Sequence, residues 1–269
     1  MPKVRKGRQT PTKSIVLPYA ETRGQEAIDL YNVSGRTAQE WQELLTYDIL
    51  AVNADGLWVH TKFGEEIPRR NGKNEVVVIR EMWGLTHGEK ILHTAHRTTT
   101  STSAARRLDA RLVGAGYEEV ARIKKGEKYD KHFTYTKQLG MERIVLLGEG
   151  GGTIDFRTRS SSGGLGEGFD LLVIDEAQEY TDNQETALKY VVTDSKNPQT
   201  IFCGTPPTTV SAGTVFTKLR SAVLQGETTN TGWAEWSVDE MTDPGNKEAW
   251  YETNPSLGTI LTERAIQDE

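Results

Sequence analysis

Leu171-Leu172-Val173-Ile174-Asp175-Glu176-Ala177 is the stretch on which the fold turns. Four apolar residues with no polar break read as a strand buried on both faces, as in a parallel sheet covered by helices. Such a strand delivers the next residues to the C-terminal edge of an open sheet, where α/β folds bind ligands. Here those residues are two carboxylates, Asp175 and Glu176. An apolar run ending in Asp-Glu is the Walker B arrangement. On that reading Asp175 holds Mg²⁺ through its water shell, and Glu176 polarises an attacking water as general base.

Outward from this strand the pattern alternates. Strands are expected over 57–63, 90–94, 131–136, 143–147, 153–158 and 200–203, with turns at Asn53–Gly56 and Gly148–Gly152. Helices are expected over 25–31, 37–50, 73–85, 101–115, 183–191 and 213–225, the second with Thr37 as N-cap and Glu40 at its capping-box position. Strands alternating with helices predict an α/β fold, a mostly parallel sheet flanked by helices. Residues 1–14, with Lys3, Arg5, Lys6, Arg8 and Lys13, read as a disordered basic arm. The expected division is arm 1–14, main domain 15–225 and an acidic segment 226–269.

The chain has 269 residues, enough for one large domain, with 32 Lys and Arg, 38 Asp and Glu and a formal net charge of −6. Its longest apolar runs are four residues, such as Val76–Ile79, far short of the roughly 20 that span a membrane. The basic N-terminus lacks an apolar region, so no secretory signal is expected. One cysteine, Cys203, excludes an internal disulfide framework and fits a reducing compartment. The five histidines have no zinc spacing. Charge is uneven: residues 227–269 hold ten acids against Lys247 and Arg264, whereas 97–143 carry eleven Lys and Arg against six acids. A net acidic chain can still present a local field to a polyanion.

A second motif is Pro68-Arg69-Arg70-Asn71-Gly72-Lys73-Asn74, between an expected strand and helix. A phosphate loop needs backbone N–H groups at a helix N-terminus and a lysine for the β- and γ-phosphates. Gly72-Lys73 supplies that core. Against G-x-x-x-x-G-K-[ST], Ile67 stands at the first glycine and Asn74 at the Ser/Thr position. A third motif, Phe202-Cys203-Gly204-Thr205-Pro206-Pro207-Thr208, ends a buried strand in a hydroxyl and a rigid turn. Trp41, Trp58, Trp83 and Trp233 read as packing, and His87, His93 and His96 carry no metal pattern. Ser101 and Ser103 read as part of a helix start.

In this order the pieces resemble the ATPase domain of a tailed-bacteriophage large terminase subunit, the DNA-packaging motor. The likeness rests on Thr37–Leu45 (TAQEWQELL), Arg69–Asn74 (RRNGKN), Ile91–Leu108, Ile154–Gln178 and Phe202–Thr208, and spans roughly residues 25–225. It implies a RecA-type (ASCE) P-loop NTPase with a small lid region, ATP and Mg as cofactors, and ATP hydrolysis. Gln42 resembles the glutamine that reads the adenine edge. Arg69 resembles the Walker A arginine near the γ-phosphate, with Arg70 as its solvated neighbour. Asn71, Gly72, Lys73 and Asn74 complete the nucleotide loop, and Asn74 joins Asp175 at the metal through an amide oxygen. In ring motors of this family an arginine ahead of Walker B serves the neighbouring subunit's ATP. Here that is Arg159, with Arg157 as the alternative, since alternation puts Asp155, Arg157 and Arg159 on one face. Gly204 and Thr205 resemble the coupling motif.

The implied partners are double-stranded DNA, a homo-oligomeric ring on a portal and a small terminase subunit, with no membrane. The implied place is the host cell cytoplasm during virion assembly. Segment 226–269 is expected to be the lid and linker that leads to a nuclease domain in this family. No second α/β pattern comes after Thr208, so no nuclease activity is expected. A helicase-like or repair ATPase, and a degenerate nucleotide-binding assembly module, are the alternatives.

Overall fold

The computed structural model describes residues 5–160 and 168–268. In chain order come β1 (Lys13–Ile15), β2 (Glu21–Thr22), α1 (Gly24–Asn32), α2 (Glu40–Ile49), β3 (Ala51–Val52), β4 (Lys62–Glu66) and α3 (Asn74–Thr86). Then come β5 (Lys90–Ala95), α4 (Thr98–Gly114), β6 (Glu118–Glu119), β7 (His132–Thr136), β8 (Arg143–Leu147), β9 (Thr153–Thr158) and β10 (Leu171–Asp175). The last elements are α5 (Asp182–Leu188), β11 (Gln199–Gly204), α6 (Val215–Leu224), β12 (Thr231–Glu235), α7 (Lys247–Thr253) and α8 (Glu263–Gln267).

Ten strands form one sheet in the order β1-β12-β4-β11-β10-β5-β9-β8-β7-β6, and β2 pairs with β3 apart from it. From β12 through β9 every neighbouring pair is parallel. The expected α/β architecture is therefore present, with antiparallel additions at both ends of the sheet. Strand β10 lies mid-sheet and all its residues are buried. Strand β11 stands between it and β4, so the loop after β4 faces the end of β10 across one intervening strand.

Side chains alternate across these strands, and the sheet splits the core in two. Leu171, Val173, Ile201, Cys203 and Phe63 pack on one face with α1, α2, α3 and α4. Leu172, Ile174, Phe202 and Trp233 pack on the other with Tyr180, Leu188 and Phe216. Helix α3 is apolar on most of its surface, with Val76, Val77, Val78, Ile79, Met82 and Leu85 all buried, as a helix enclosed by sheet and helices must be. Trp41, Trp58, Trp83 and Trp233 are buried, as expected, and Trp41 meets Trp236 edge to face at 5.6 Å.

Four expectations are corrected. The basic segment is not a free arm from Arg5 onward. Arg5 pairs with Glu248, Arg8 reaches Glu252 at 2.7 Å, Thr12 N donates to Glu235 O, and Lys13–Ile15 adds antiparallel to β12. Residues 1–4 lie outside the described residues. The acids of the C-terminal segment thus serve as partners for this basic stretch. Strand β12 is part of the main sheet, so the division expected at 225 falls short of the fold. The strand expected over 57–63 forms over Lys62–Glu66, since the earlier residues make only an isolated bridge at Trp58. The cap of α2 is Gln39, not Thr37, with Gln42 closing the box.

Candidate nucleotide site

The loop from Ile67 to Lys73 leaves β4 and enters α3. Ile67 is buried and its N–H donates to Gly204 O at 3.1 Å, fixing the loop to the end of β11. Arg70 and Gly72 both take left-handed backbone, at φ 64° and 83°, and so turn the chain back onto the α3 N-terminus. Lys73 comes next at the N-cap position, so its ammonium and the first α3 amides share one end of the helix.

Asn71 and Gln42 brace this loop rather than face a ligand. Asn71 is fully buried, and its Nδ2 donates to Pro68 O, Arg69 O and Asn254 Oδ1, the last at 2.8 Å. Its Oδ1 accepts from Ser256 N at 3.0 Å, and its carbonyl accepts from Ser256 Oγ at 2.7 Å. Ser256 Oγ in turn accepts from Gln39 Nε2 at 2.9 Å and Trp41 Nε1 at 3.2 Å. Gln42, 3% exposed, accepts from Gln39 N and donates to Gly72 O at 3.1 Å. Its amide is engaged in the cap and the loop, so the structure does not present it as an adenine reader.

Across β11 the carboxylates stand as expected. Asn74 Nδ2 donates to Asp175 Oδ2 at 2.8 Å, and Glu176 N donates to Asp175 Oδ1 at 2.8 Å. Behind Asp175 lies His93, buried on β5. Its Nδ1 is 2.6 Å from Glu81 Oε1, and its Nε2 is 3.7 Å from Asp175 Oδ2, an ion-pair rather than a hydrogen-bond distance. Burial pushes the His93 imidazole down, but the Glu81 and Asp175 carboxylates outweigh it and raise it to about 9. Burial pushes Asp175 up, and the His93 imidazolium and Lys73 outweigh that, leaving it ionised below the usual carboxylate range. Glu65, on β4 and paired in register with Cys203, is buried, and among the described residues its two oxygens have no hydrogen-bond partner. Burial pushes it up to about 8 despite the Cys203 thiol and Lys73, so at neutral pH it holds its proton.

Glu176 sits in left-handed backbone at φ 52°. Its Oε2 accepts from His96 N at 3.1 Å and Arg97 N at 3.3 Å, and its Oε1 accepts from Thr100 Oγ1 at 3.1 Å. The carboxylate therefore rests on the N-terminus of α4, where free amides and the helix dipole favour negative charge. Arg69, Lys73, Arg97, Glu176, Gln178 and Thr205 line a cleft of about 870 Å³. The turn after β11 is tied to both sides of it. Gly204 O accepts from Ile67 N, and Thr205 N donates to Gln178 Oε1 at 3.1 Å. A Cβ on Gly204 would come within 2.6 Å of the Phe216 ring, so only glycine fits.

Neither arginine expected to serve a neighbouring subunit projects outward. Arg159 is 7% exposed, with its guanidinium donating to the carbonyls of Thr94, Asp175 and Glu176. Arg157 Nη2 donates to Asp155 Oδ1 at 2.6 Å, and its Nη1 to the carbonyls of Phe156 and Glu142. The shared face of Asp155 and Arg157 is thus closed by their own ion pair. Most of the Ser- and Gly-rich stretch beyond them, 161–167, lies outside the described residues.

Asp175 suits Mg²⁺, a hard cation that takes oxygen ligands, and Asn74 beside it adds an amide oxygen. Among the described residues no group of three or more His, Cys, Asp and Glu side chains forms a metal cage. Nucleotide-bound Mg²⁺ needs none, since it takes one or two protein oxygens and fills the rest from phosphates and water. His93, Glu81, Thr100, Asn254 and Ser256 are invisible as site residues in the sequence, because each acts through a partner far away along the chain.

This architecture has a counterpart among solved structures. The HK97 bacteriophage large terminase superposes with a TM-score of 0.72 over 92% of this chain, at 14% identity. This chain has a large-terminase fold. It spans 51% of the HK97 protein's length. The Thermus phage P74-26 large terminase ATPase domain matches with a TM-score of 0.46 at 13% identity, over 66% of this chain and 68% of that one. The large terminase of a thermophilic bacteriophage in complex with ADP matches with a TM-score of 0.39 at 14% identity, over 54% and 34%. No family model matches the chain, and no curated protein is similar to it in sequence. Among the described residues no helix of the large-terminase fold here is long and apolar enough to cross a membrane.

Proposed function

We propose that this chain is a P-loop ATP hydrolase acting as the ATPase motor of a viral large terminase, driving double-stranded DNA into a procapsid. The observation that carries the reading is one cleft lined by Lys73 at the α3 N-terminus and by Glu176, with the buried Asp175 next to Glu176 in the chain and bonded to Asn74. The α3 amides and Lys73 bind the β- and γ-phosphates, and Arg69 faces the same cleft. Asp175 and Asn74 would hold Mg²⁺, which when bound supplies charge neutralisation between the phosphates. Glu176, held by the His96 and Arg97 amides, takes the proton of a water in the cleft. That water's oxygen bonds to the γ-phosphorus, the bond to the bridging oxygen breaks, and ADP and phosphate remain. Gly204 and Thr205, bonded to the loop on one side and to Gln178 on the other, transmit the change of occupancy.

DNA, a ring of copies on a portal, a small terminase subunit and the host cytoplasm complete this reading. The exposed basic run Arg122, Lys124, Lys125, Lys128 and Lys131 suits sequence-indifferent, salt-sensitive contact with phosphates. The test is Mg²⁺-dependent ATP turnover by the whole chain with and without duplex DNA. Lys73→Ala should lose nucleotide binding, and Glu176→Gln should bind without turnover. Tight binding by the unmodified protein without turnover in either condition would overturn the hydrolase reading in favour of an assembly module. Unwinding of a forked duplex would favour a helicase.

A further inference from the structure

We infer that Arg159 is a positioning residue that acts inside its own subunit, clamping the turn that aims Glu176, rather than an arginine lent to a neighbour. The inference rests on the proposed role of Glu176 as base.

Strands β5, β9 and β10 are parallel neighbours and end at one level. Carbonyls at that edge lose their ladder partners as the strands diverge, and a buried carbonyl without a donor is costly. Arg159 comes directly after β9, and its own N–H continues the ladder to Ala95 O at 2.9 Å. From there its side chain crosses the strand ends. Nη1 donates to Thr94 O at 3.1 Å and to Asp175 O at 2.5 Å, and Nη2 donates to Glu176 O at 3.1 Å. One planar guanidinium thus gathers the ends of β5 and β10 from a position on β9. A lysine has no such fork.

Two of those carbonyls bracket Glu176: its own and that of the residue before it. Glu176 is also the non-glycine residue of this turn whose backbone is left-handed, at φ 52°. That conformation is unfavourable in an L-residue and persists only where its surroundings hold it. The same turn lets the Glu176 carboxylate reach His96 N, Arg97 N and Thr100 Oγ1. Holding the peptides on either side of Glu176 therefore sets the side chain's aim. The Tyr180 ring lies 5.5 Å from Arg159 Cζ and helps enclose the guanidinium. Burial pushes Arg159 down to about 10, which leaves it charged at neutral pH. Sending this side chain to another subunit would take this donor from the carbonyls of Thr94 and Asp175, leave Glu176 O to Glu179 N at 3.0 Å, and release the turn.

The experiment starts from ATP turnover by the unmodified protein. If that is absent, the proposed function fails, and the clamp fails with it as a device for aiming a base. With turnover established, Arg159→Ala and Lys73→Ala proteins are assayed singly and mixed. A clamp predicts mixed activity no greater than the sum of the two. A trans arginine predicts restoration, because the Lys73→Ala subunits carry an intact Arg159, and restoration would overturn the inference. Arg159→Ala should lower kcat about 100- to 1,000-fold, the scale of a lost general base, while ATP affinity changes less than about threefold. A readout that a trans role would not move is amide hydrogen exchange at His96 and Arg97. It should speed up in Arg159→Ala as Glu176 lets go of α4, and unchanged exchange would refute the clamp. Should Arg159→Ala not fold, Arg159→Lys keeps the charge without the fork and goes through the same mixing and exchange tests.

Discussion

Replacing Ser256 by Ala tests how the phosphate loop is held. The Ser256 hydroxyl is buried at the centre of a joint between the loop, the start of α2 and the segment after α7. Its loss removes the partner of Trp41 Nε1 in a tryptophan that is 0% exposed, and a donor from Asn71 O in a residue equally buried. Each buried group left without a partner costs about 1–3 kcal/mol. Gln39 Nε2 also loses its acceptor, but Gln39 is half-buried and regains water at small cost. The expected destabilisation is about 2–4 kcal/mol, or a fall in Tm of about 4–7 °C for a chain of this size. Urea unfolding measures the first figure and a thermal melt the second. Trp41→Phe supplies the control. With that indole N–H already gone, Ser256→Ala should cost about 1–2 kcal/mol less, because one orphan has been removed beforehand. The loosened loop should also bind ATP about 5- to 10-fold more weakly, equivalent to roughly 1–1.4 kcal/mol. A cost under about 0.5 kcal/mol, or the same cost in both backgrounds, would refute the reasoning from buried partners.

Three further outcomes are expected. The folded Glu65 carboxyl is held at about 8 against an ordinary 4.5, so its stabilising contribution is full below pH 4.5 and is lost as pH rises through 8. Relative to Glu65→Gln, the unmodified protein should therefore lose about 1.4 kcal/mol of unfolding free energy per pH unit across that window, and a pH-independent difference in urea titrations would sink the idea. His93→Leu should cost about 3–5 kcal/mol in urea unfolding, because it leaves Glu81 and Asp175 as buried carboxylates with no imidazolium between them. Asn74→Ala, which loses the 2.8 Å bond to Asp175, should raise the Mg²⁺ concentration needed for half-maximal ATP turnover about 5- to 10-fold. Asn74→Thr, which offers a hydroxyl at the same place, should stay within about twofold; equal effects from both variants would remove Asn74 from the metal site.

The parts of the site that local chemistry dictates are legible in the sequence. An unbroken apolar strand has to be buried in mid-sheet, and the carboxylates after it have to emerge at its C-terminal edge, as Asp175 and Glu176 do. Gly72-Lys73 has to lie at a helix start. Distant partners decide the rest. Asn71 and Gln42 carry amides suited to a nucleotide, yet Ser256, Asn254 and Gln39 claim them first. Arg159 belongs to a polar stretch that suggests a surface, yet the carbonyl ends of β5 and β10 draw it inward. Strand β12 is hidden in the sequence because Thr-Gly-Trp-Ala-Glu has neither alternation nor an apolar run. Trp233 and Glu235 are buried on one face, where Arg220 neutralises Glu235 at 2.6 Å, and Ala234 is buried on the other.

The wall that β10 and its neighbours build between the two cores bears on how such a chain can diverge. Adjacent residues on one strand, such as Val173 and Ile174, answer to different neighbourhoods. A larger side chain on one face needs a smaller one only on that face, since tightly packed interiors tolerate change best when local volume is conserved. The lineage thus faces two modest packing problems in place of one large one, and each can wander by its own compensating steps. The HK97 terminase has the same fold at 14% identity.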